Sequence, residues 1–228
     1  MTASTRVTLV GALESGQDVC WEGSGSGLTL RVTEPRQVEV VLGRCSRADQ
    51  EVYLDRVQAA GVPVSRRRGG GCAVVVGPGV LVVSCIWTGY RPPYPVDWME
   101  DMSGKVALAL QGAGVTGLEV RKGGDLTLGD RKVMGACLYV GADTAVYGAS
   151  LLVNPDLSLF DRFLRHPPRE PAYRRGRPHR EFVTSLWAEG FRLSPRQLGH
   201  CLGGALWSLL TGPRCGADCG HPGREERG

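Results

Sequence analysis

The chain lacks the apolar segments that would anchor it in a membrane or export it. None of its apolar runs reaches about 18 residues, the length that a membrane-spanning helix needs. The first residues also lack the basic-then-apolar pattern of a secretion signal. The sequence therefore predicts a protein of the cytoplasm without a membrane partner.

Common signatures of nucleotide and nucleic-acid binding are missing as well. The glycine-rich stretch at 69–71 has neither the dinucleotide-binding spacing nor the Walker spacing. The net charge is only +4, concentrated in arginine clusters at 66–68 and 174–180. Aromatic residues make up 7% of the chain and do not interleave with these clusters to form a basic stacking face. We therefore expect no nucleic-acid partner and no Rossmann fold.

Histidine is scarce, whereas cysteine is not. The 8 cysteines are scattered rather than framed for a small disulfide scaffold, which favours reduced thiols in a chain without an export signal. Cys215, Cys219 and His221 could suggest zinc, but their spacing differs from the tight pairs of structural sites. A flexible tail is the preferred interpretation, and we predict no metal site.

The apolar patterns that are present predict an α+β domain. Alternating patterns indicate strands near 28–32, 38–42, 62–66, 73–76, 80–87, 116–121, 125–128, 132–140 and 145–152. Helical patterns occupy residues 48–60, 96–113, 156–164, 179–189 and the stretch from Ser194 to about 210. Strict β-α-β alternation is absent, so we expect a mixed or antiparallel sheet flanked by helices.

Composition divides the chain into three parts. Residues 1–27 mix short apolar pieces with Gly and Ser, and are predicted to be a variable N-terminal segment. Residues 28–212 carry the predicted sheet and helices and form the expected domain. Residues 213–228 turn to Gly, Pro and charge, which predicts a disordered tail.

Two segments carry the candidate chemistry. In the first, Arg66–Arg68 run into three glycines and then into an apolar strand, so backbone N–H groups and guanidiniums can approach the same anionic oxygens. In the second, residues 125–135 predict a hairpin with a turn at Gly129-Asp130. This hairpin would aim Lys132 inward, and Gly135 would keep the backbone low beside a ligand.

Together the two segments resemble the catalytic domain of the biotin/lipoate protein ligase superfamily, most closely its lipoate–protein ligase branch. That branch carries an Arg-Arg-x-Ser/Thr-Gly-Gly-Gly motif that runs into a strand, and an Asp-Leu-…-Lys-x-x-Gly motif. Further similarity lies at 40–44, 147–153 and 177–186, so the resemblance covers roughly residues 28–210. It implies a catalytic domain like that of class II aminoacyl-tRNA and biotin synthetases over 28–212, in a short form without the C-terminal accessory domain.

The resemblance also implies an activity. Lipoate–protein ligases use ATP, with Mg²⁺, to convert lipoate or octanoate into an acyl-adenylate, and hold no tightly bound cofactor. They then transfer the acyl group to a lysine of a lipoyl carrier, such as the glycine cleavage H protein or a 2-oxoacid dehydrogenase E2 domain, and some need an accessory subunit. Lys132 matches the near-essential lysine of the family.

The expected binding residues depend on how the arginine motif is aligned. If Pro78-Gly79 is aligned with the Pro-Gly of the family without gaps, the resemblance implies that Arg67 faces the nucleotide. If the alignment is shifted by one residue, it implies Arg66 instead. The expected ATP- and acyl-adenylate-binding residues are Arg66, Arg67, Gly70, Gly71, Cys72, Ala73, Val74, Asp125, Lys132 and Gly135.

Departures from the family pattern leave two alternatives open. Cys72 replaces the last glycine, and Val76 and Tyr147 stand where many relatives have histidine. One alternative is an octanoyl or lipoyl acyltransferase that takes its acyl group from acyl carrier protein through a cysteine thiolate, for which Cys72 and Cys137 are the thiols nearest the expected site. The preferred interpretation treats both as packing residues. The other alternative is a non-catalytic homologue or partner subunit. A biotin ligase is less favoured, because its Gly-Arg-Gly-Arg-x-Gly loop is absent.

Overall fold

Two β-sheets organise the part of the chain that the computed structural model describes, residues 6–8 and 17–212. The strands are β1 (Arg6–Thr8), β2 (Gln17–Gly25), β3 (Leu28–Pro35), β4 (Glu39–Leu42), β5 (Val64–Arg67), β6 (Val74–Val76), β7 (Val80–Thr88), β8 (Leu118–Val120), β9 (Leu126–Leu128), β10 (Arg131–Val140) and β11 (Thr144–Leu152). The larger sheet has the order β2-β3-β7-β11-β10-β9-β8, and the smaller has the order β1-β5-β4-β6.

The strand pairing confirms the predicted mixed or antiparallel sheet. Neighbours in the larger sheet are antiparallel throughout. In the smaller sheet β5 runs parallel to both β1 and β4, whereas β6 pairs antiparallel with β4. The larger sheet starts at Gln17 rather than at residue 28, because β2 is its edge strand and pairs along its length with β3.

Helices cover the sheets and close two apolar cores. They are α1 (Ala48–Glu51), α2 (Leu54–Ala59), α3 (Pro95–Gly112), α4 (Ser158–Phe163), α5 (His179–Phe182) and α6 (Pro195–Thr211), with a 3-10 helix at Ala172–Arg174. Residues of α3 and α6 share one core with the larger sheet. Residues of α4 and α5 share the other with β4 and β6. None of the described helices has the length and apolarity to cross a bilayer.

Two predicted helices are wrong in extent, and the cause is the same in both places. The helix expected over 48–60 breaks at Val52, which is extended and bridges Leu164, while the N–H of Tyr53 donates to the Phe163 carbonyl at 2.9 Å. The helix expected over 179–189 stops at Phe182. Strand-like pairing with a distant segment outweighs the local helical preference in both stretches.

The chain beyond Phe182 instead binds strands of the larger sheet. Val183 is extended and bridges Lys132, and the N–H of Thr184 donates to the Lys132 carbonyl at 2.9 Å. The N–H of Leu186 then donates to the carbonyl of Leu152, also at 2.9 Å. This segment therefore fixes the backbone of Lys132 from the side opposite its hairpin partner β9.

Candidate active site

A cavity of about 440 Å³ lies between the two sheets. Its walls come from β4 and β6 on one side, from β10 and β11 on the other, and from α4, α5 and residues 167–174. Most of the wall is apolar. The polar and charged side chains in it are Arg67, Cys72, Asp125, Lys132, Cys137, Ser150, Arg169, Glu170, Arg174 and His179.

Lys132 and Asp125 form an ion pair in this wall. The Lys132 Nζ lies 2.8 Å from Asp125 Oδ1, and the two side chains are 26% and 11% exposed. The second oxygen of the carboxylate, Oδ2, accepts the hydroxyl of Tyr173 at 2.7 Å. The ammonium therefore has a fixed position at the end of a hairpin, as the sequence predicted for a Lys aimed inward.

Gly135 provides the space for this ammonium. A Cβ atom at this position would lie 2.9 Å from both Cε and Nζ of Lys132, closer than side-chain contacts normally come. Residue 135 therefore lies beneath the lysine side chain in the cavity wall, and a methyl group there would push the ammonium away from Asp125.

The arginines of the glycine-rich motif point to different places. Arg67 lines the cavity but is buried, and its guanidinium donates to the carbonyls of Gly70 and Cys72, both at 2.8 Å, and of Val41 at 3.2 Å. Arg66 instead donates to the carbonyl of Gly43 at 2.7 Å and to two further carbonyls of the loop that follows β4. Of these two arginines, Arg67 is thus the one that lines the cavity, and its bonds to backbone carbonyls shape the glycine-rich loop.

The predicted binding residues are mostly brought together. Neither Arg66 nor Gly70 lines the cavity, and the Gly70 N–H donates to the Leu138 carbonyl at 3.2 Å. The predicted residues that do line it are Arg67, Gly71, Cys72, Ala73, Val74, Asp125, Lys132 and Gly135.

A buried carboxylate that the sequence analysis did not assign holds the loop in place. Glu51 is 3% exposed, and its Oε2 accepts the N–H of Ala73 at 2.6 Å and the hydroxyl of Ser46 at 2.9 Å. Gly43 permits the close packing here, since a Cβ on it would lie 1.9 Å from the carbonyl oxygen of Gly71. An acidic residue inside an otherwise ordinary helical pattern was the available signal, but it did not distinguish burial from exposure.

The two thiols in the wall differ in environment. The Cys72 thiol donates to the Arg169 carbonyl at 3.5 Å. Burial raises the pKa of the Cys137 thiol, although Arg67 nearby opposes the shift, so this thiol is protonated at neutral pH. Cys137 is therefore poorly suited to act as a nucleophile.

Two further residues that the sequence analysis missed line the cavity. Arg174 is 4% exposed and lies in the 3-10 helix. His179 opens α5, and burial, together with the neighbouring Arg174, lowers its pKa to about 4 despite Asp161 at 3.6 Å. Its imidazole is therefore neutral at pH 7. The available signals were the arginine cluster at 174–180 and the family similarity at 177–186, and neither predicted a position in the cavity wall.

The residues that stand in place of family histidines have different surroundings. Val76 lines the cavity, so an apolar side chain takes that position. Tyr147 is fully buried and shares a hydrogen bond of 2.9 Å with the hydroxyl of Ser103, away from the cavity. Among the residues that the structure describes, no group of three or more His, Cys, Asp or Glu side chains could hold a metal ion. The Cys215, Cys219 and His221 cluster lies outside the described residues.

Sequence comparison decides the family. A model of the lipoyl protein ligase A/B catalytic domain matches residues 18–202. The chain belongs to this family. The matched span includes every predicted site residue, and it starts within β2 and ends in α6.

Several solved structures share the fold of this chain. A bipartite lipoate protein ligase from Thermoplasma acidophilum, described with its E2 lipoyl domain, is similar with a TM-score of 0.68 and 24% identity over 82% of this chain and 72% of that one. A lipoate-protein ligase A bound with ATP is similar with a TM-score of 0.68 and 22% identity, over 91% of this chain and 86% of that one. A putative lipoate protein ligase from T. acidophilum with bound lipoic acid has a TM-score of 0.66 and 22% identity, over 82% of this chain and 74% of that one. At these identities the likeness shows a shared fold.

Proposed function

We propose that this protein is a lipoate–protein ligase that activates lipoate or octanoate with ATP and transfers the acyl group to a lysine of a lipoyl carrier domain. The observation that carries the proposal is the ion-paired Lys132 in the wall of a largely apolar cavity. An apolar cavity of this volume suits a medium-chain acyl group, and the cationic group in its wall suits the carboxylate. Family membership and relatives described with ATP and with lipoic acid support the same reaction.

In the first step, a carboxylate oxygen of the acid attacks the α-phosphorus of ATP, and pyrophosphate leaves. Negative charge develops on oxygens of the α-phosphate, and a fixed ammonium stabilises it best when the site need not rearrange. Lys132 has this property because Asp125, itself bonded to Tyr173, holds it. Mg²⁺ enters this scheme with the nucleotide as MgATP and is part of the substrate.

In the second step, the amine of a carrier lysine attacks the acyl carbonyl and AMP leaves. The carbonyl oxygen then becomes negative, and the same ammonium can stabilise it. We propose a lipoyl domain of the H-protein or E2 type as the acceptor, in the cytoplasm, with a second subunit as an optional component. The bipartite relative described with its E2 lipoyl domain supports both partners.

The glycine-rich loop is proposed to hold the nucleotide. Arg67, rather than Arg66, is the arginine for this role because Arg67 lines the cavity and Arg66 bonds the loop after β4. Gly71, Cys72 and Ala73 form the edge of the cavity beside it. In this scheme, Arg67 would exchange some of its carbonyl bonds for phosphate oxygens when the nucleotide binds.

A second candidate is acyl transfer from acyl carrier protein through a cysteine. The observation that favours it is the Cys72 thiol in the cavity wall. In that reaction the thiolate would attack the donor thioester, release the carrier thiol and form an acyl-cysteine, which the target lysine would then attack.

One experiment separates these candidates. The purified protein is tested for exchange of labelled pyrophosphate into ATP with lipoate or octanoate, and in parallel for acylation of a lipoyl domain from octanoyl acyl carrier protein. Acid-dependent exchange supports the ligase. Acylation without exchange replaces the ligase by the transferase, and absence of both, with a competent lipoyl domain present, favours a non-catalytic homologue or partner subunit.

A further inference from the structure

A buried arginine in the cavity wall has a donor that the protein itself does not satisfy. Arg174 is 4% exposed, and its Nη2 is buried without a hydrogen-bond partner. Its Nε donates to the Arg177 carbonyl at 2.9 Å, and its guanidinium stacks over Phe182 at 4.8 Å from the ring centre. A buried donor of a charged group that stays unsatisfied destabilises the protein, so such groups usually have a partner in some state of the protein.

The neighbouring acid does not provide that partner. The closest approach between Arg174 and Glu170 is 3.5 Å, from Nε to Oε2. The same Oε2 lies 3.0 Å from the His166 ring, and Oε1 accepts the N–H of Gly176 at 2.8 Å. Glu170 is therefore divided among several groups, and the charge of Arg174 is only partly compensated.

The other basic side chains of the cavity differ from Arg174, and Arg169 does so because it is exposed. Lys132 is paired with Asp125, and Arg67 donates to backbone carbonyls. His179 is neutral at pH 7 because its pKa lies at about 4. Among the described residues that line the cavity, Arg174 thus combines burial, a full positive charge and a donor without a partner.

We propose that Arg174 binds the anionic group of the substrate in this cavity, a carboxylate or phosphate oxygen, through its Nη2. A planar guanidinium matches either group with paired donors. The inference rests on the proposed function, from which both anions come, the carboxylate from the acid and the phosphate from the nucleotide. Because Nη2 is buried, the side chain or the segment that carries it must shift to make the contact.

The test compares charged and neutral ligands of the same shape by calorimetry. Octanoate is paired with octanol, and AMP with adenosine, on wild-type protein, on Arg174→Gln and on Arg175→Gln. Arg175 is the exposed neighbour, so its variant removes the same charge without touching the cavity. We expect Arg174→Gln to weaken the binding of one of the two anions about 10–100-fold, as loss of a charged hydrogen bond does. The affinity for the matching neutral ligand should stay unchanged. The anion whose binding is weakened shows whether Arg174 binds the carboxylate of the acid or the phosphate of the nucleotide.

Two results would overturn the inference. One is a wild-type protein that binds each anion no better than its neutral partner, and the other is an Arg174→Gln protein that keeps both preferences. If the Gln variant does not fold, Arg174→Lys is used, because it keeps the charge and much of the aliphatic side chain. This variant should still bind the affected anion better than the neutral ligand, but by a smaller factor than the wild type does. These measurements need no turnover. Arg174-dependent anion binding without pyrophosphate exchange would therefore refute the ligase and leave the role of Arg174 intact.

Discussion

Replacement of Lys132 by alanine should lower the rate of adenylation by about 100-fold or more while the protein still folds. The ammonium is the group proposed to meet charge on the α-phosphate, and loss of one such fixed donor lowers a rate by about 10²–10³-fold. The fold loses the ion pair with Asp125, whose side chain is 11% exposed. That carboxylate keeps the Tyr173 hydroxyl, so only part of its solvation is lost.

The stability cost can be worked from these contacts. A buried group that loses one of two partners costs about 1–2 kcal/mol in free energy of unfolding, at the lower end of the usual range because the lysine side chain is a quarter exposed and water can enter. For a chain of this size the thermal midpoint should fall by roughly 2–8 °C. Adding Asp125→Asn to the variant removes the unpaired charge and should recover most of the midpoint without recovering activity.

Adenylation is measured by acid-dependent pyrophosphate exchange, and the thermal midpoint by circular dichroism of the same samples. Lys122→Ala is the matched control, because Lys122 is an exposed lysine in the turn before β9. It should change neither quantity. A Lys132→Ala protein that keeps more than a tenth of the exchange rate at an unchanged midpoint would refute the assignment of this lysine.

Three other outcomes follow from the site. Gly135→Ala should lower exchange strongly, because the added methyl displaces the flexible end of Lys132, and it should lower the midpoint by no more than the loss of the Asp125 ion pair does. Gly104→Ala, whose new Cβ would have no atom from outside its own helix within 4 Å, should leave exchange intact. Cys72→Gly should preserve or improve ATP binding measured by calorimetry, and a Cys72 thioester trapped from an acyl donor in the wild type would contradict this. The pKa of His179 falls from 6.5 to about 4 on folding, so between these values the unfolded chain binds the extra proton. The free energy of unfolding in urea should therefore decrease as pH drops from 6.5 toward 4, and His179→Gln should flatten that decrease; an unchanged slope would contradict it.

The sheet and the lysine hairpin could be predicted because their signals are local. Residues 80–87 and 145–152 are apolar runs bounded by turn residues, and the structure has strands there. The turn at Gly129-Asp130 likewise joins β9 to β10. Each of these elements depends on residues that are neighbours in sequence.

The parts that failed depend on distant partners. Residues 183–189 have a helical pattern, but pairing with Lys132 and Leu152 extends their first residues. Glu51 and Arg174 are charged, and charge alone predicts exposure. Both side chains are buried because loops distant in sequence cover them, and the sequence around each residue does not indicate this. The sequence could not predict that Arg67 rather than Arg66 lines the cavity. Alternation in a strand places neighbouring side chains on opposite faces, but it does not show which face meets a ligand.

The bridge between Val183 and Lys132 has a consequence for synthesis on the ribosome. The lysine leaves the exit tunnel some fifty residues before the segment that clamps its backbone, a delay of seconds at ordinary rates of elongation. During that interval the hairpin can pair with β11 but lacks its support from Thr184. A nascent chain stalled before residue 183 should therefore hold most of the larger sheet with the backbone of Lys132 supported on one side only, and the second support forms only after residues 183–186 have been synthesised.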